Sequence, residues 1–313
     1  MARPSPADDC AAHAPPERTL YRSALLSIGK FRCPIGHPAF HAGAVNNGNL
    51  VVFPRTSVII EQAGAKPVVA DPNTAVLYND HQPYRRTANH ALGDRCEWFA
   101  YGAATVVQAI AGADPSVHDR EDRPFHTNHA FPDRMTYLHQ RELVHYLERT
   151  ARPDPLFVDE VALSLLQRVV GGSPGRGKRP GSRAKARKEE LADAARQLLA
   201  REVGGALSLS ELAQRVGCSE FHLCRAFSAS VGTTLHRYRD QLRLRSALQR
   251  LSEAGESLTA IALDLGYSSH SHFTSRFHRA FGLTPSRYRA NASVSLARKL
   301  SKNLIADRLS PLE

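Results

Sequence analysis

Apolar positions follow two rhythms along this chain. Between about residues 30 and 110 they come in short runs closed by turn formers: Leu50-Val51-Val52-Phe53 stops at Pro54, and Ser57-Val58-Ile59-Ile60 stops near Gly64. Pro67-Val68-Val69-Ala70 stops at Asp71-Pro72-Asn73, and Ala75-Val76-Leu77-Tyr78 stops at Asn79-Asp80. Cys96-Glu97-Trp98-Phe99-Ala100-Tyr101 and Thr105-Val106-Val107 continue the series. Such β-branched runs, broken roughly every eight to ten residues, predict antiparallel strands in a barrel or sandwich. From residue 134 the spacing becomes helical. Tyr137, Leu138, Leu143, Val144 and Leu147 form one stripe, and Val158, Val161, Leu165, Leu166 and Val169 form another, with Arg152-Pro153-Asp154-Pro155 between them. A helical hairpin appended to the barrel is expected, packing against it or against a second subunit.

Further on, one pattern occurs twice. Leu209-Ser210-Glu211-Leu212-Ala213-Gln214-Arg215-Val216-Gly217-Cys218-Ser219, followed by Phe227, Gly232 and Tyr238, is echoed by Leu258-Thr259-Ala260-Ile261-Ala262-Leu263-Asp264-Leu265-Gly266-Tyr267-Ser268, followed by Phe277, Gly282 and Tyr288. Each copy reads as helix, glycine turn, serine cap, helix, the sequence form of a helix-turn-helix. Ser208 or Ser210 opens the first scaffold helix, and Glu189 to Val203 forms an amphipathic helix roofing it. Between the copies, Leu235 to about Leu251 predicts one long helix with His236, Arg237, Arg239, Arg243 and Arg245 on its wet side. Such a strut spans about 25 Å and could deliver two reading helices to consecutive major grooves.

Charge sharpens this picture. Residues 171–313 carry 24 Lys/Arg against 12 Asp/Glu, whereas residues 1–170 carry 17 against 18. The excess lies with the repeat, so a polyanion partner is expected there. The chain divides by composition and spacing into a loose arm (1–18), a strand-rich region ending in a helical hairpin (19–170), a basic Gly/Pro/Ser linker (171–187), the basic helical region that holds the repeat (188–290) and a tail (291–313) whose Leu296, Leu300 and Leu304 predict a further helix. Within the linker, Gly172 to Lys178 follows a phosphate-loop pattern until Arg179 replaces the Ser or Thr that would hold magnesium. The stretch also follows helix instead of strand, so nucleotide binding is not expected. The five cysteines make no disulfide framework. No apolar run suits a membrane span, and nothing resembles a secretory leader; a cytoplasmic protein is expected.

In the first helix-turn-helix, Leu223, Ala226, Phe227 and Val231 are the core stripe, leaving Phe221, Cys224, Arg225 and Ser228 outward. Arg225 either forks onto guanine O6 and N7 or contacts phosphate. In the second, Phe273, Phe277, Ala280 and Phe281 are buried, and His270, Ser271, Thr274, Ser275 and His278 face away. Ser219, Arg237, Arg239, Arg276 and Arg287 are the candidates for phosphate contacts.

These residues resemble the AraC/XylS family of bacterial transcription regulators over about residues 188–290. The resemblance is densest in Ile261-Ala262-Leu263-Asp264-Leu265-Gly266-Tyr267-Ser268-Ser269-His270-Ser271-His272-Phe273, Arg276-Phe277 and Phe281-Gly282-Leu283-Thr284-Pro285-Ser286-Arg287-Tyr288-Arg289. It implies a seven-helix, all-α domain with two helix-turn-helix units, with base-reading residues at Phe221, Cys224 and Arg225, then His270, Ser271, Thr274 and Ser275. Leu235 departs from the proline common at that place. The N-terminal half is similar to the family's cupin-like antiparallel β-barrel with its helical appendage, through Phe53-Pro54-Arg55-Thr56-Ser57, the Asp71-Pro72-Asn73 turn and Gly93-Asp94-Arg95-Cys96-Glu97-Trp98-Phe99. The fold class implied is two-domain α+β, with residues 19–170 as the sensor and dimerisation domain and 188–290 as the DNA-binding domain. The implied partners are double-stranded DNA, RNA polymerase, a small effector or protein signal at the barrel, and a second copy through the N-terminal domain.

The competing reading is a cupin enzyme with a basic tether. An enzymatic cupin presents His-x-His, and residues 30–110 have none. Cys33, His37 and His41 have a spacing open to zinc, but prolines and glycines place them on irregular chain, and Cys33 with Cys96 could act as a redox pair. No nucleophile elbow occurs. Neither a catalytic residue nor a cofactor is expected.

Overall fold

The computed structural model describes residues 16–112, 114–171, 183–253 and 255–290. The phosphate-loop-like run at 172–179 and the tail helix lie outside the described residues. The chain separates into two compact units, residues 1–129 and 130–313.

The first unit is built from two antiparallel sheets. Its strands are β1 (Glu17–Arg22), β2 (Leu26–Cys33), β3 (Ala44–Val45), β4 (Asn49–Pro54), β5 (Val58–Gln62), β6 (Val68–Ala70), β7 (Ala75–Tyr78), β8 (Pro83–Ala88), β9 (Asp94–Tyr101) and the short β10 (His129–Ala130). One sheet has the order β1-β2-β9-β4-β7-β10, the other β3-β8-β5-β6. Val52, Val76 and Trp98 from the first share a core with Val58, Ile60 and Val68 from the second. Register explains how the indole of Trp98 fits. Gly29 is its neighbour on β2, and a Cβ there would collide with the indole ring.

The turns obey the sequence closely. At Asp71-Pro72-Asn73 the Asp71 carboxylate accepts from the Asn73 backbone N–H (2.8 Å) and the Thr74 hydroxyl (3.1 Å), closing the loop from β6 to β7. Thr56 joins two segments distant in sequence, donating to the Gly93 carbonyl (2.7 Å) and accepting from the Arg95 N–H (2.8 Å). Gly93 takes φ 73°, and a side chain there would run into the Cys33 carbonyl.

Some expectations need correcting. The run Thr105-Val106-Val107 is helical, inside α2 (Ala103–Ala111), which follows the short α1 (Pro38–His41). Alanines carry the helix, and Val106, Val107 and Ile110 all face inward, a spacing of three and four. Strands β1, β2 and β8 were not foreseen; their alternation is blurred by Arg18, Lys30, Arg85 and Arg86.

The second unit is helical: α3 (Arg134–Arg149), α4 (Pro155–Gly171), α5 (Arg183–Arg201), α6 (Leu209–Val216), α7 (Glu220–Val231), α8 (Leu235–Ser252), α9 (Leu258–Asp264), α10 (His270–Phe281) and α11 (Pro285–Ala290). Helix α5 starts inside the expected linker, because residues 183–187 contain good helix formers and no Gly or Pro. Helix α3 packs on α8 and α10 as well as on α4. Arg245, expected on the wet side of α8, is 2 % exposed. Its guanidinium lies 4.7 Å from the Tyr137 ring and donates to the Pro132 carbonyl (2.7 Å). A guanidinium cannot shed its charge, so burial requires such acceptors and ring faces.

Glu142 of α3 is also buried, beside Tyr288 of α11. Burial pushes its carboxyl up to about 7, an effect that Tyr288, Arg141 and Arg149 only partly offset. The acid is therefore protonated more readily in the folded state than in the unfolded chain. Its stabilising contribution is complete below the ordinary carboxyl range and is lost as pH rises through about 7. Chemical denaturation across this range should show Glu142→Gln matching the parent below about pH 4.5 and exceeding it above pH 7 by on the order of 2 kcal/mol. An unchanged difference across that window would remove Glu142 from the account.

Candidate nucleic-acid interface

Both helix-turn-helix copies are assembled by the same local chemistry. In the first, Ser208 and Glu211 form a reciprocal capping box at the start of α6. The Ser208 hydroxyl accepts from the Glu211 N–H (3.2 Å), and the Glu211 carboxylate accepts from the Ser208 N–H (2.8 Å). These bonds hold the fully exposed Glu211 carboxyl below its ordinary range. Gly217 ends the helix at φ 76°, and Ser219 caps α7 by accepting from the His222 N–H (3.3 Å). In the second copy Ser257 caps α9, Gly266 takes φ 75°, and Ser269 caps α10 through the His272 N–H (3.1 Å). Gly232 and Gly282 end the two reading helices in the same left-handed conformation.

The buried stripes follow the repeat, Leu223, Ala226 and Phe227 on α7 and Phe273, Phe277, Ala280 and Phe281 on α10, while Val231, expected with the first set, is half-buried. Seven helices, α5 to α11, make up this region, and α8 runs 18 residues between the copies, about 27 Å at helical rise.

The candidate base-reading residues lie opposite those stripes. Phe221 is 72 % exposed, a large ring left in water, and the Arg225 guanidinium sits 5.5 Å from its centroid. The stacking narrows the arginine's freedom while leaving its donors outward. Cys224 is half-buried beside them. On α10, Ser271 and Ser275 are exposed, and half-buried His270 and Thr274 approach each other to 3.5 Å.

The phosphate candidates divide. Arg237 and Arg287 are exposed in the first turns of α8 and α11, and Ser219 is exposed at the start of α7. Arg239 instead donates to the Leu207 carbonyl (2.7 Å), and Arg276 forms an ion pair with Asp240 of α8. Their guanidiniums are used to tie loops and helices together. Arg243, expected on the wet side, is committed more completely. It donates to the carbonyls of Val203 (3.0 Å), Gly205 (2.9 Å) and Gly266 (3.1 Å) and lies 5.9 Å from the Tyr267 ring. Sequence reasoning missed this clamp, whose acceptors are backbone atoms from two distant loops.

The metal candidates do not converge. Cys33 is buried at the end of β2, His41 is exposed, and the His37 ring accepts from the Ala39 N–H (3.1 Å) as the cap of α1. Among the described residues no group of three His, Cys, Asp or Glu is placed to hold a metal ion. Cys33 and Cys96 are both free thiols, raised above their ordinary range by burial. No helix among the described residues is long and apolar enough to cross a membrane.

Residues 212–291 match the helix-turn-helix domain family. The chain is 32 % identical to a solved transcriptional regulator with an AraC-type DNA-binding domain from Chromobacterium violaceum, covering 35 % of this chain and 97 % of that one with a TM-score of 0.33. The second unit carries an AraC-type helix-turn-helix domain. An HTH-type transcriptional regulator of Mycobacterium tuberculosis is 36 % identical over 86 residues, 28 % of this chain and 33 % of that protein. An uncharacterized HTH-type regulator of Staphylococcus aureus (strain COL) is 39 % identical over 85 residues, 27 % of this chain and 11 % of that protein. The chain thus matches a third or less of the length of these curated relatives.

The two turn glycines of this domain differ in one respect. Gly217 has open space where a Cβ would project, whereas a Cβ on Gly266 would strike the Gly204 carbonyl and the Arg243 guanidinium. Gly217→Ala should therefore cost about 1–2 kcal/mol, the penalty of a left-handed alanine. Gly266→Ala should cost more, about 3 kcal/mol or above, because it also dislodges the clamp. Equal losses on urea denaturation of the two variants would show that the contact is not tight.

Proposed function

We propose that this chain is a sequence-specific transcription regulator of the AraC/XylS type. Its two reading helices, α7 and α10, enter successive major grooves of double-stranded DNA, and a signal at the cupin-like first unit controls them. The observation that carries this reading is the pair of capped helices, each buried on a phenylalanine stripe and polar on its outer face, joined by the single helix α8. Phe221, Cys224 and Arg225 read one groove, with the thymine methyl and guanine edges as natural partners of the ring and the guanidinium. His270, Ser271, Thr274 and Ser275 read the next with shorter polar groups, a weaker source of discrimination. Arg237, Arg287 and Ser219 position the protein on phosphates. Arg239 and Arg276 serve the fold, and their loss would act through stability. RNA polymerase and a second copy of the chain are the further partners that this type of regulator implies.

Selection of duplexes from a random-sequence pool with the full chain should recover a motif with two elements about one helical turn apart. Arg225→Ala should blur one element and weaken binding to the parent motif by about tenfold or more, while Arg237→Ala should weaken all sequences alike and lower the salt dependence. A pool that yields no motif, with binding governed by salt alone, would overturn the reading.

A further inference from the structure

The two sheets of the first unit enclose a cavity of about 360 Å³, within the range of pockets that hold small organic molecules. Its walls mix apolar and polar side chains: Val52 and Val76 from one sheet and Val58 and Ile60 from the other, with Thr19, Ser27, Asn46 and Asn47 also on the lining. Aromatic faces of Phe31, Tyr84 and Trp98 complete the lining. Of the two arginines on the lining, Arg22 is exposed and Arg86 is buried. Arg86 stands on β8 opposite Ile60 of β5 and is 7 % exposed.

The surroundings of that guanidinium are incomplete. One terminal nitrogen, Nη2, donates to the Tyr84 hydroxyl (2.8 Å), and Nε stands 3.5 Å from the Asp94 carboxylate, beyond a good charge-assisted bond. The other terminal nitrogen, Nη1, has no hydrogen-bonding partner among the described residues. The Phe31 ring centroid lies 4.6 Å from the guanidinium carbon and that of Tyr84 5.3 Å, so two aromatic rings stand close to the cation. The indole N–H of Trp98, on the facing sheet, is likewise buried without a partner. A buried cation that cannot lose its proton, with an idle donor in a cavity whose lining holds a second idle donor, is a costly arrangement for a core. It is an effective one for receiving an anion.

We propose that this cavity binds a small monocarboxylic acid with a ring-containing apolar body, the carboxylate taken by Arg86 and the body seated against Trp98 and the valine walls. The proposal deepens the reading of the first unit as a sensor and rests on it for its regulatory meaning. Charge selects the monoanion. Arginine and acid side chains in the lining balance, Arg86 and Arg22 against Asp94 and Glu17, and no lysine is present. A dianionic phosphate would find no surplus of cations, whereas one carboxylate needs only the idle edge of Arg86. The cavity volume and the rings favour an aryl or cycloalkyl body over a long chain. Asp94 stands as the resident competitor for Arg86, and the ligand must displace or outbid it.

Trp98 is the chain's sole tryptophan, so its emission reports this cavity alone. The full chain would be titrated with phenylacetate and cyclohexanecarboxylate, then with phenylacetamide as the neutral match and phenyl phosphate as the dianion. The expected result is a saturable change in Trp98 emission with both carboxylates, at least about tenfold tighter than with the amide or the phosphate ester. Asp94→Asn should tighten carboxylate binding. Arg86→Gln should abolish the preference for carboxylate over amide. Because that change strands Asp94, the double variant R86Q/D94N, neutral and close in shape, repeats the measurement in a balanced cavity. No saturable response, an amide that binds as well as the acid, or a preference that survives in the double variant would each overturn the proposal. So would tighter binding of the phosphate ester. DNA binding is measured separately on the same protein without ligand. Loss of the carboxylate response with intact motif binding sinks only this inference, and a carboxylate response without motif binding sinks the regulatory reading instead.

Discussion

The AraC-type domain depends on one guanidinium. Arg243, near the middle of α8, donates to the carbonyls of Val203 and Gly205, where the chain leaves α5, and of Gly266, where it turns between α9 and α10. Each of these carbonyls lies at the end of a helix or in a turn, where the helical ladder no longer supplies a donor. A rigid five-donor fork at the meeting point of two loops satisfies three acceptors at once. The approach is so close that glycine is required at both neighbours, since a Cβ at Gly204 would strike the Asp264 carbonyl and one at Gly266 would strike Gly204 and Arg243 itself. The orientation of the second reading helix thus follows from contacts with α8. The Arg276–Asp240 ion pair between α10 and α8 reinforces the same junction.

The first unit solves a different problem. A sheet core usually excludes charge, yet here Arg86, Asp94, Arg55 and Glu97 are all buried. The Arg55–Glu97 pair is direct, and it holds the strand ends β4 and β9 together alongside the Thr56 bonds to Gly93 and Arg95. The Arg86–Asp94 pair is looser and faces the cavity. Burial pushes Asp94 up to about 6, against the pull of Arg86. One pair is structural because its geometry closes. The other keeps unused bonding capacity, which a structural ion pair would not leave idle.

Much of this was legible in the chain, and the reasons are local. The helix start at Ser219 and the left-handed turns at Gly217 and Gly266 are decided by residues a few positions apart, whereas the second cap is Ser269 and not Ser268, the repeat's counterpart of Ser219. The phenylalanine stripes of α7 and α10 follow from helical spacing. The outward set from Phe221 to Ser275 is then whatever the stripes leave. What could not be read are contacts that join distant segments. Arg245 looked like a solvent-facing residue because its neighbours His236 and Arg237 are, yet it reaches a tyrosine and a carbonyl more than a hundred residues earlier. Arg239, Arg243 and Arg276 were indistinguishable from phosphate-binding residues by type alone. In the first unit, Arg86 lies in a Tyr-Arg-Arg-Thr run that reads as a polar surface, and only the pairing of β8 with β5 turns it inward.

The unequal surroundings of Gly217 and Gly266 have a consequence for how the repeat could change over time. The two copies are alike in sequence but not in mechanical freedom: one turn hangs in open space, the other is wedged against a backbone carbonyl and a guanidinium. Under the proposed role, α7 has room for side-chain changes beside its turn and so for new base preferences at smaller cost than α10. The second is tethered to the frame, and drift there disturbs the frame itself. If the proposed two-headed reading holds, such a chain gains new binding sites through α7 while α10 holds the register.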